Sequence, residues 1–115
     1  MKLDTIKEKS IFKELRKKGR VSKNKYLIIY ILPGEEEKQV IRAGFGISRK
    51  TGKAFQRNKT RRVLKEILRN VTIPFSINLY IIVKKTITGA CFSEIKEELE
   101  KSLNYYFLNY GHKQS

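Results

Sequence analysis

Apolar and polar positions follow two rhythms along this chain, and the changes of rhythm mark its elements. Residues 5–19 place Ile11, Phe12 and Leu15 at helical spacing, between a capping-box pattern of Thr5 and Glu8 and a stop at Gly19. Residues 26–32 are β-branched and aromatic and end at Pro33-Gly34, ahead of the acidic loop 35–37, which predicts a strand and its turn. From 40 to 48 the pattern alternates, with Ile41, Ala43, Phe45 and Ile47 on one face, so this segment is expected to pair antiparallel with the strand before it. Gly44 and Gly46 fall on the opposite face, where something can approach the backbone closely. A helix over 54–70 follows, and Pro74 closes the connection after it. Residues 77–83 form a nearly continuous apolar run, the pattern of a strand buried on both faces. Ser93 is placed to cap a last helix reaching residue 108, with Ile95, Leu99, Ser102, Leu103 and Tyr106 along one side. The tail 111–115, with the lone His112, is expected to fray. The predicted order is α-β-β-α-β-α, an α/β fold of the two-layer α+β sandwich kind, in one domain spanning 1–115.

Charge changes this picture most. The 115 residues suit one core of ordinary size, yet they hold 26 Lys and Arg against 11 Asp and Glu, a net charge of +15. Residues 1–26 are net +7 and residues 49–69 net +8, so the rest of the chain is neutral overall. Charge gathered in this way points to a polyanionic partner, with nucleic acid ahead of an anionic membrane or a merely solvated face. Cys91 stands alone, which excludes an internal disulfide and a multi-cysteine zinc site, and reads as a small buried hydrophobe. The longest apolar run, 26–32, is far short of a bilayer span, and the first ten residues lack the apolar stretch of a signal peptide. A cytoplasmic protein with no membrane partner is expected.

The helix over 54–70 sorts its charge to one side. With Arg57 at zero and about 100° per residue, Asn58, Arg61, Arg62, Lys65 and Arg69 fall between roughly 40° and 140°. Val63, Leu64, Ile67, Leu68 and Val71 fall between roughly 240° and 20°, a wall for the core. Only Glu66 opposes the cations within 49–69. Like charges at i, i+4 cost an isolated helix roughly 0.2 to 0.5 kcal/mol per pair, so a one-signed row is poor design for a solvated face alone. Arginine forks grip phosphate oxygens, and Lys50 and Lys53 add cations near the N-terminus of the helix, where backbone N–H groups also favour anions. Tyr26, Ile28 and Tyr30 share one face of the first predicted strand, and rings beside a basic rim form a tolerant platform for unpaired bases. For Phe12 and Tyr30, ordinary core packing is the simpler reading of the sequence alone.

The stretch Gly52-Lys53-Ala54-Phe55-Gln56-Arg57-Asn58-Lys59-Thr60-Arg61-Arg62-Val63-Leu64-Lys65-Glu66 resembles the arginine-rich motif of the bacterial ribonuclease P protein family. Arg57, Asn58, Arg61, Arg62 and Lys65 match it directly. Lys59 stands where the family usually has arginine, Thr60 where it usually has an aliphatic residue, and Arg16 where it often has an aromatic one. Ile11-Phe12 with Gly19, the strand 26–32, Arg42-Ala43-Gly44 through Ser48-Arg49-Lys50, and Phe92-Ser93-Glu94-Ile95 extend the resemblance over nearly the whole chain.

The resemblance implies a sheet with a left-handed β-α-β crossover that includes the basic helix. It implies a subunit of ribonuclease P, the endoribonuclease that removes the 5′ leader of precursor tRNA to make mature tRNA 5′ ends. Its partners are the catalytic RNA of ribonuclease P and precursor tRNA, and no protein partner is required. The RNA-subunit-binding residues would be Arg49, Lys50, Lys53, Arg57, Asn58, Lys59, Arg61, Arg62, Lys65 and Arg69. The cleft for the single-stranded leader would be built from Phe12, Arg16, Tyr26, Ile28 and Tyr30, with Phe12 and Tyr30 on opposite walls. The cofactor would be Mg²⁺, bound mainly through the RNA, with RNA-associated ions near Asn58.

The protein itself is not expected to be the catalyst. A protein nuclease needs a general base or a carboxylate cluster holding metal ions. No acid lies between Glu37 and Glu66, where the cations would hold substrate, and Glu94, Glu97, Glu98 and Glu100 read as a solvated helical face. Two rival classes stay open on the residues alone: a structural RNA-binding protein, such as a ribosomal component, and a stand-alone RNA-processing enzyme.

Overall fold

The computed structural model describes residues 2–6, 9–35 and 39–110. Glu8 of the expected capping box, part of the acidic loop 35–37 and the tail with His112 lie outside the described residues. The elements run β1 (Lys2–Thr5), α1 (Lys9–Lys18), β2 (Arg20–Lys23), β3 (Leu27–Pro33), β4 (Val40–Gly46), α2 (Ala54–Asn70), β5 (Ile77–Val83) and α3 (Phe92–Tyr110). The five strands form one sheet in the order β1-β4-β5-β3-β2. Three helices on one sheet make the expected α+β class, with two short strands added to the expected order.

Both additions lie where the sequence is polar. Thr5 ends β1 opposite Ala43 instead of capping a helix, because the parallel ladder with β4 takes up the backbone from Lys2 to Thr5. α1 therefore starts at Lys9 and stops as expected at Gly19, whose N–H closes on the Leu15 carbonyl at 2.8 Å. β2 pairs antiparallel with β3 at the far edge.

β3 and β4 run in opposite directions, as expected, but they are not neighbours. β5 lies between them, antiparallel to β3 and parallel to β4. The two parallel strands need a crossover, and α2 supplies it. The basic helix is thereby fixed against the sheet.

One face of the sheet carries the core. Ile41, Ala43, Ile77, Leu79, Ile81, Ile29 and Ile31 point there, against Leu64, Ile67 and Leu68 of α2 and Ile95, Leu99, Leu103 and Tyr106 of α3. The opposite face is covered only in part, by α1. β5 consequently alternates buried and half-buried positions instead of being buried on both faces, leaving Asn78, Tyr80 and Ile82 half-buried on the α1 side.

The start of α3 also differs from expectation. Ser93 lies inside the helix, and Cys91 precedes it, with its carbonyl accepting from Ile95 N–H at 3.2 Å. Cys91 is exposed rather than buried, because its Sγ faces Glu94 Oε1 at 3.1 Å in that cap. Glu94 also accepts from the Tyr26 hydroxyl at 2.7 Å. The Cys91 and Tyr26 donors hold the Glu94 carboxyl below its ordinary range, and the same bond to Glu94 raises the Tyr26 phenol. A carboxylate with a lowered folded pKa contributes stability that is present above the unfolded value and lost as pH falls through the folded value. Glu94→Gln should therefore soften the loss of stability on acidification, read as the urea midpoint at steps from about pH 7 to about pH 3. Parallel acid profiles of the two proteins would discount this cap.

Candidate nucleic-acid interface

The basic helix is entered through a turn that only glycine suits. After a short 3-10 turn at Arg49–Thr51, Gly52 takes φ 148°, and a Cβ there would collide with the Gln56 side chain. Gln56 Oε1 is held by Lys53 N–H at 2.9 Å, which satisfies a donor at the helix start. From this start α2 turns Leu64, Ile67 and Leu68 into the core, as the periodicity requires, and leaves Asn58, Lys59, Arg62 and Arg69 exposed with Arg57, Arg61 and Lys65 half-buried.

Among the described residues the cations of α2 have few acidic partners. Among the described residues Arg69 is the α2 cation that meets an acid, Glu66, at 3.9 Å, and Glu66 is also held by the Asn70 amide at 3.2 Å. Arg57 Nε is buried without a hydrogen-bond partner among the described residues, while the residue as a whole is half-buried. Arg61 Nη1 donates to Asn58 Oδ1 at 3.0 Å, which orients its guanidinium fork on the outer face. Arg49, Lys50 and Lys53 are exposed on the connection from β4, and Lys85, exposed just past the parallel strand β5, joins them from the same end of the sheet. Sequence reasoning passed over Lys85 because its position depends on β5 being the neighbour of β4.

The second candidate site lies on the α1 side of the sheet. The strand registers set Gly44, Tyr80, Tyr30 and Val21 in one row across four strands, and Gly46, Ile82, Ile28 and Lys23 in the next. Phe12 of α1 lies over Gly44, where any Cβ would strike its ring. Phe12 stacks on Tyr80 with centroids 4.8 Å apart and planes at 23°, and Tyr80 stacks beside Tyr30 at 6.3 Å and 24°. Gly46 similarly leaves room for the Tyr80 hydroxyl, where a Cβ would come within 2.7 Å.

This arrangement corrects the expected cleft in two respects. Phe12 and Tyr30 are not facing walls, because Tyr80 occupies the space between them and the three rings form one row. Tyr26 does not belong to the site: Asn24 Oδ1 accepts from the N–H groups of Tyr26 and Leu27 at 3.0 and 2.8 Å, a turn that ends the alternation before β3 and sends Tyr26 to the α3 side. Ile28 stays on the floor, half-buried, and Arg16 is exposed one turn beyond Phe12 on α1. Tyr80 is the residue that sequence reasoning missed. Its signal was present, since Asn78, Tyr80 and Ile82 alternate with Ile77, Leu79, Ile81 and Val83, but two apolar residues on the second face disguised the period.

The residues near Asn58 do not form a metal cage. Hard divalent cations take oxygen ligands, usually carboxylates, and the groove beside Asn58 is lined by Phe55, Arg61, Arg62 and Lys65. The Asn58 oxygen is already an acceptor for Arg61. Among the described residues no group of three or more His, Cys, Asp or Glu could hold a metal ion, and no described helix is long and apolar enough to cross a membrane.

Comparison with known proteins gives one consistent result. A family model described as Ribonuclease P matches residues 1–106. The ribonuclease P protein component of Caldanaerobacter subterraneus subsp. tengcongensis is 32% identical over 104 residues, covering 89% of this chain and 88% of the relative. That of Nitratiruptor sp. is 33% identical over 102 residues, covering 88% and 90%. The solved ribonuclease P protein of Thermotoga maritima superposes with a TM-score of 0.75 at 25% identity, covering 87% of this chain and 94% of that one.

Proposed function

The chain belongs to the ribonuclease P protein family, and from that premise we propose that it binds the catalytic RNA through the outer face of α2 and the 5′ leader of precursor tRNA on the ring row beneath α1. Membership makes it a subunit of an endoribonuclease complex partnered by ribonuclease P RNA. The observation that carries the finer reading is the meeting of two unlike surfaces at the C-terminal end of β4. Gly44 and Gly46 form part of the floor under the rings, and the same strand then leads through Arg49, Lys50 and Lys53 into the row of cations. A leader lying on the rings would be held next to the RNA held by α2.

The two surfaces differ in what they can read. Arginine and lysine on α2 contact phosphate, which sets position and affinity but carries no sequence. The rings offer π-faces to any unpaired base, which suits a leader of variable sequence. The chain's own residues thus bind and orient. The chemistry is assigned to the RNA with Mg²⁺, whose ions would be held by RNA oxygens, since the α2 face offers cations and one engaged amide.

The test is reconstitution. Precursor tRNA is incubated with the protein, with its cognate ribonuclease P RNA at low Mg²⁺, and with both; only the mixture should cleave efficiently. Cleavage by the protein alone would support a stand-alone nuclease, and no gain from the protein would leave a structural RNA-binding role. Within the working mixture, Arg57, Arg61 and Arg62 changed together to Ala should flatten the fall of log affinity with log salt, because fewer counterions are released on binding. An unchanged slope in the folded triple variant would remove α2 from the interface.

A further inference from the structure

We propose that Phe55 is a stacking site for an unpaired base of the RNA bound on the α2 face. This deepens the reading above and rests on it. Phe55 sits in the first turn of α2 and is 66% exposed. An exposed ring adds little to the fold, because it is the burial of a phenylalanine that stabilises. Its neighbours explain what could cover it. Phe55 lines one open groove with Asn58, Arg61, Arg62 and Lys65, so the ring is surrounded by three cations and an amide.

These surroundings select the occupant. An apolar protein surface placed on the ring would strip water from Arg61, Arg62 and Lys65 without pairing them, which is costly for charged groups. A membrane surface would meet a single large apolar side chain, whereas interfacial helices present a whole apolar face. An RNA strand answers both halves of the groove: phosphates meet the cations while one base leaves its stack and lies on the ring. The Asn58 side chain, fixed by Arg61 at 3.0 Å, stands at the groove's edge with its amide N–H groups available to that base or its sugar.

Stacking and phosphate contact separate experimentally because only the second releases counterions. Binding of the chain to its cognate ribonuclease P RNA is measured across a salt series for the parent and for Phe55→Ala, Phe55→Leu and Phe55→Trp, with circular dichroism as the check on folding. Phe55→Ala should lose about fivefold to a hundredfold in affinity at every salt concentration, with the salt slope unchanged. Phe55→Leu, apolar but without a π-face, should behave like the alanine variant, and Phe55→Trp should bind like the parent or more tightly. Affinity of Phe55→Ala within twofold of the parent, or full retention by Phe55→Leu, overturns base stacking. If the arginine triple variant still flattens the slope in that case, the phosphate-binding face stands without the stacking site. If the triple variant leaves the slope unchanged, the face fails and the stacking site fails with it.

Discussion

Tyr30→Ala and Tyr80→Ala, made together, should weaken the reconstituted complex with leader-bearing precursor tRNA about thirtyfold or more and leave its affinity for mature tRNA nearly unchanged. Each base stacked on a ring is worth roughly 1 to 3 kcal/mol, and the two tyrosines stand side by side with centroids 6.3 Å apart. If each takes one base, the loss is about 2 to 6 kcal/mol, of which the lower end is already about thirtyfold. The effect should grow with leader length from none to about eight nucleotides and depend little on leader sequence, since every base has a π-face. Both rings are half-buried, so each variant is first checked for a cooperative unfolding transition. Equal losses for precursor and mature tRNA would show that the row reads something other than the leader.

The paired tyrosines also show where reading the chain succeeded and where it stopped. α2 was legible in full because its information is local: a period of 3.6 with Leu64, Ile67 and Leu68 inward survives any surroundings, and these residues are buried. The glycine pair of β4 was legible for a similar reason, since alternate glycines on one face can only make room, and Phe12 and the Tyr80 hydroxyl take that room. The ladder was not legible. β1 and β2 carry mostly polar side chains and form because the edges of β4 and β3 have hydrogen bonds to satisfy, which is a property of the partner strand. The insertion of β5 between β3 and β4 likewise follows from the crossover through α2, not from any pattern within 26–48. Tyr26 failed for a local reason, an asparagine turn that reset the alternation two residues later. The error in the candidate leader site, two walls in place of one row, was thus an error of topology carried into function.

Gly44→Ala should lower stability by roughly 1 to 3 kcal/mol, a cost out of proportion to one methyl group, because the methyl would occupy the space of the Phe12 ring. The backbone at Gly44 has no positive φ, so the substitution brings no conformational strain of its own and the collision is the whole effect. Either the ring swings out or α1 lifts from the sheet, and both separate Phe12 from Tyr80, now stacked at 4.8 Å. Two readouts should therefore move together: the urea midpoint falls, and affinity for leader-bearing precursor falls while affinity for mature tRNA holds. A double-mutant cycle identifies the cause. Phe12→Ala is costly alone, since it removes a half-buried ring, but in its presence Gly44→Ala should cost almost nothing, because the vacated space accepts the methyl. The coupling should approach the full cost of Gly44→Ala in the parent. If the two changes are additive, the penalty at Gly44 arises elsewhere, and the close approach of α1 to β4 is not what shapes the ring row.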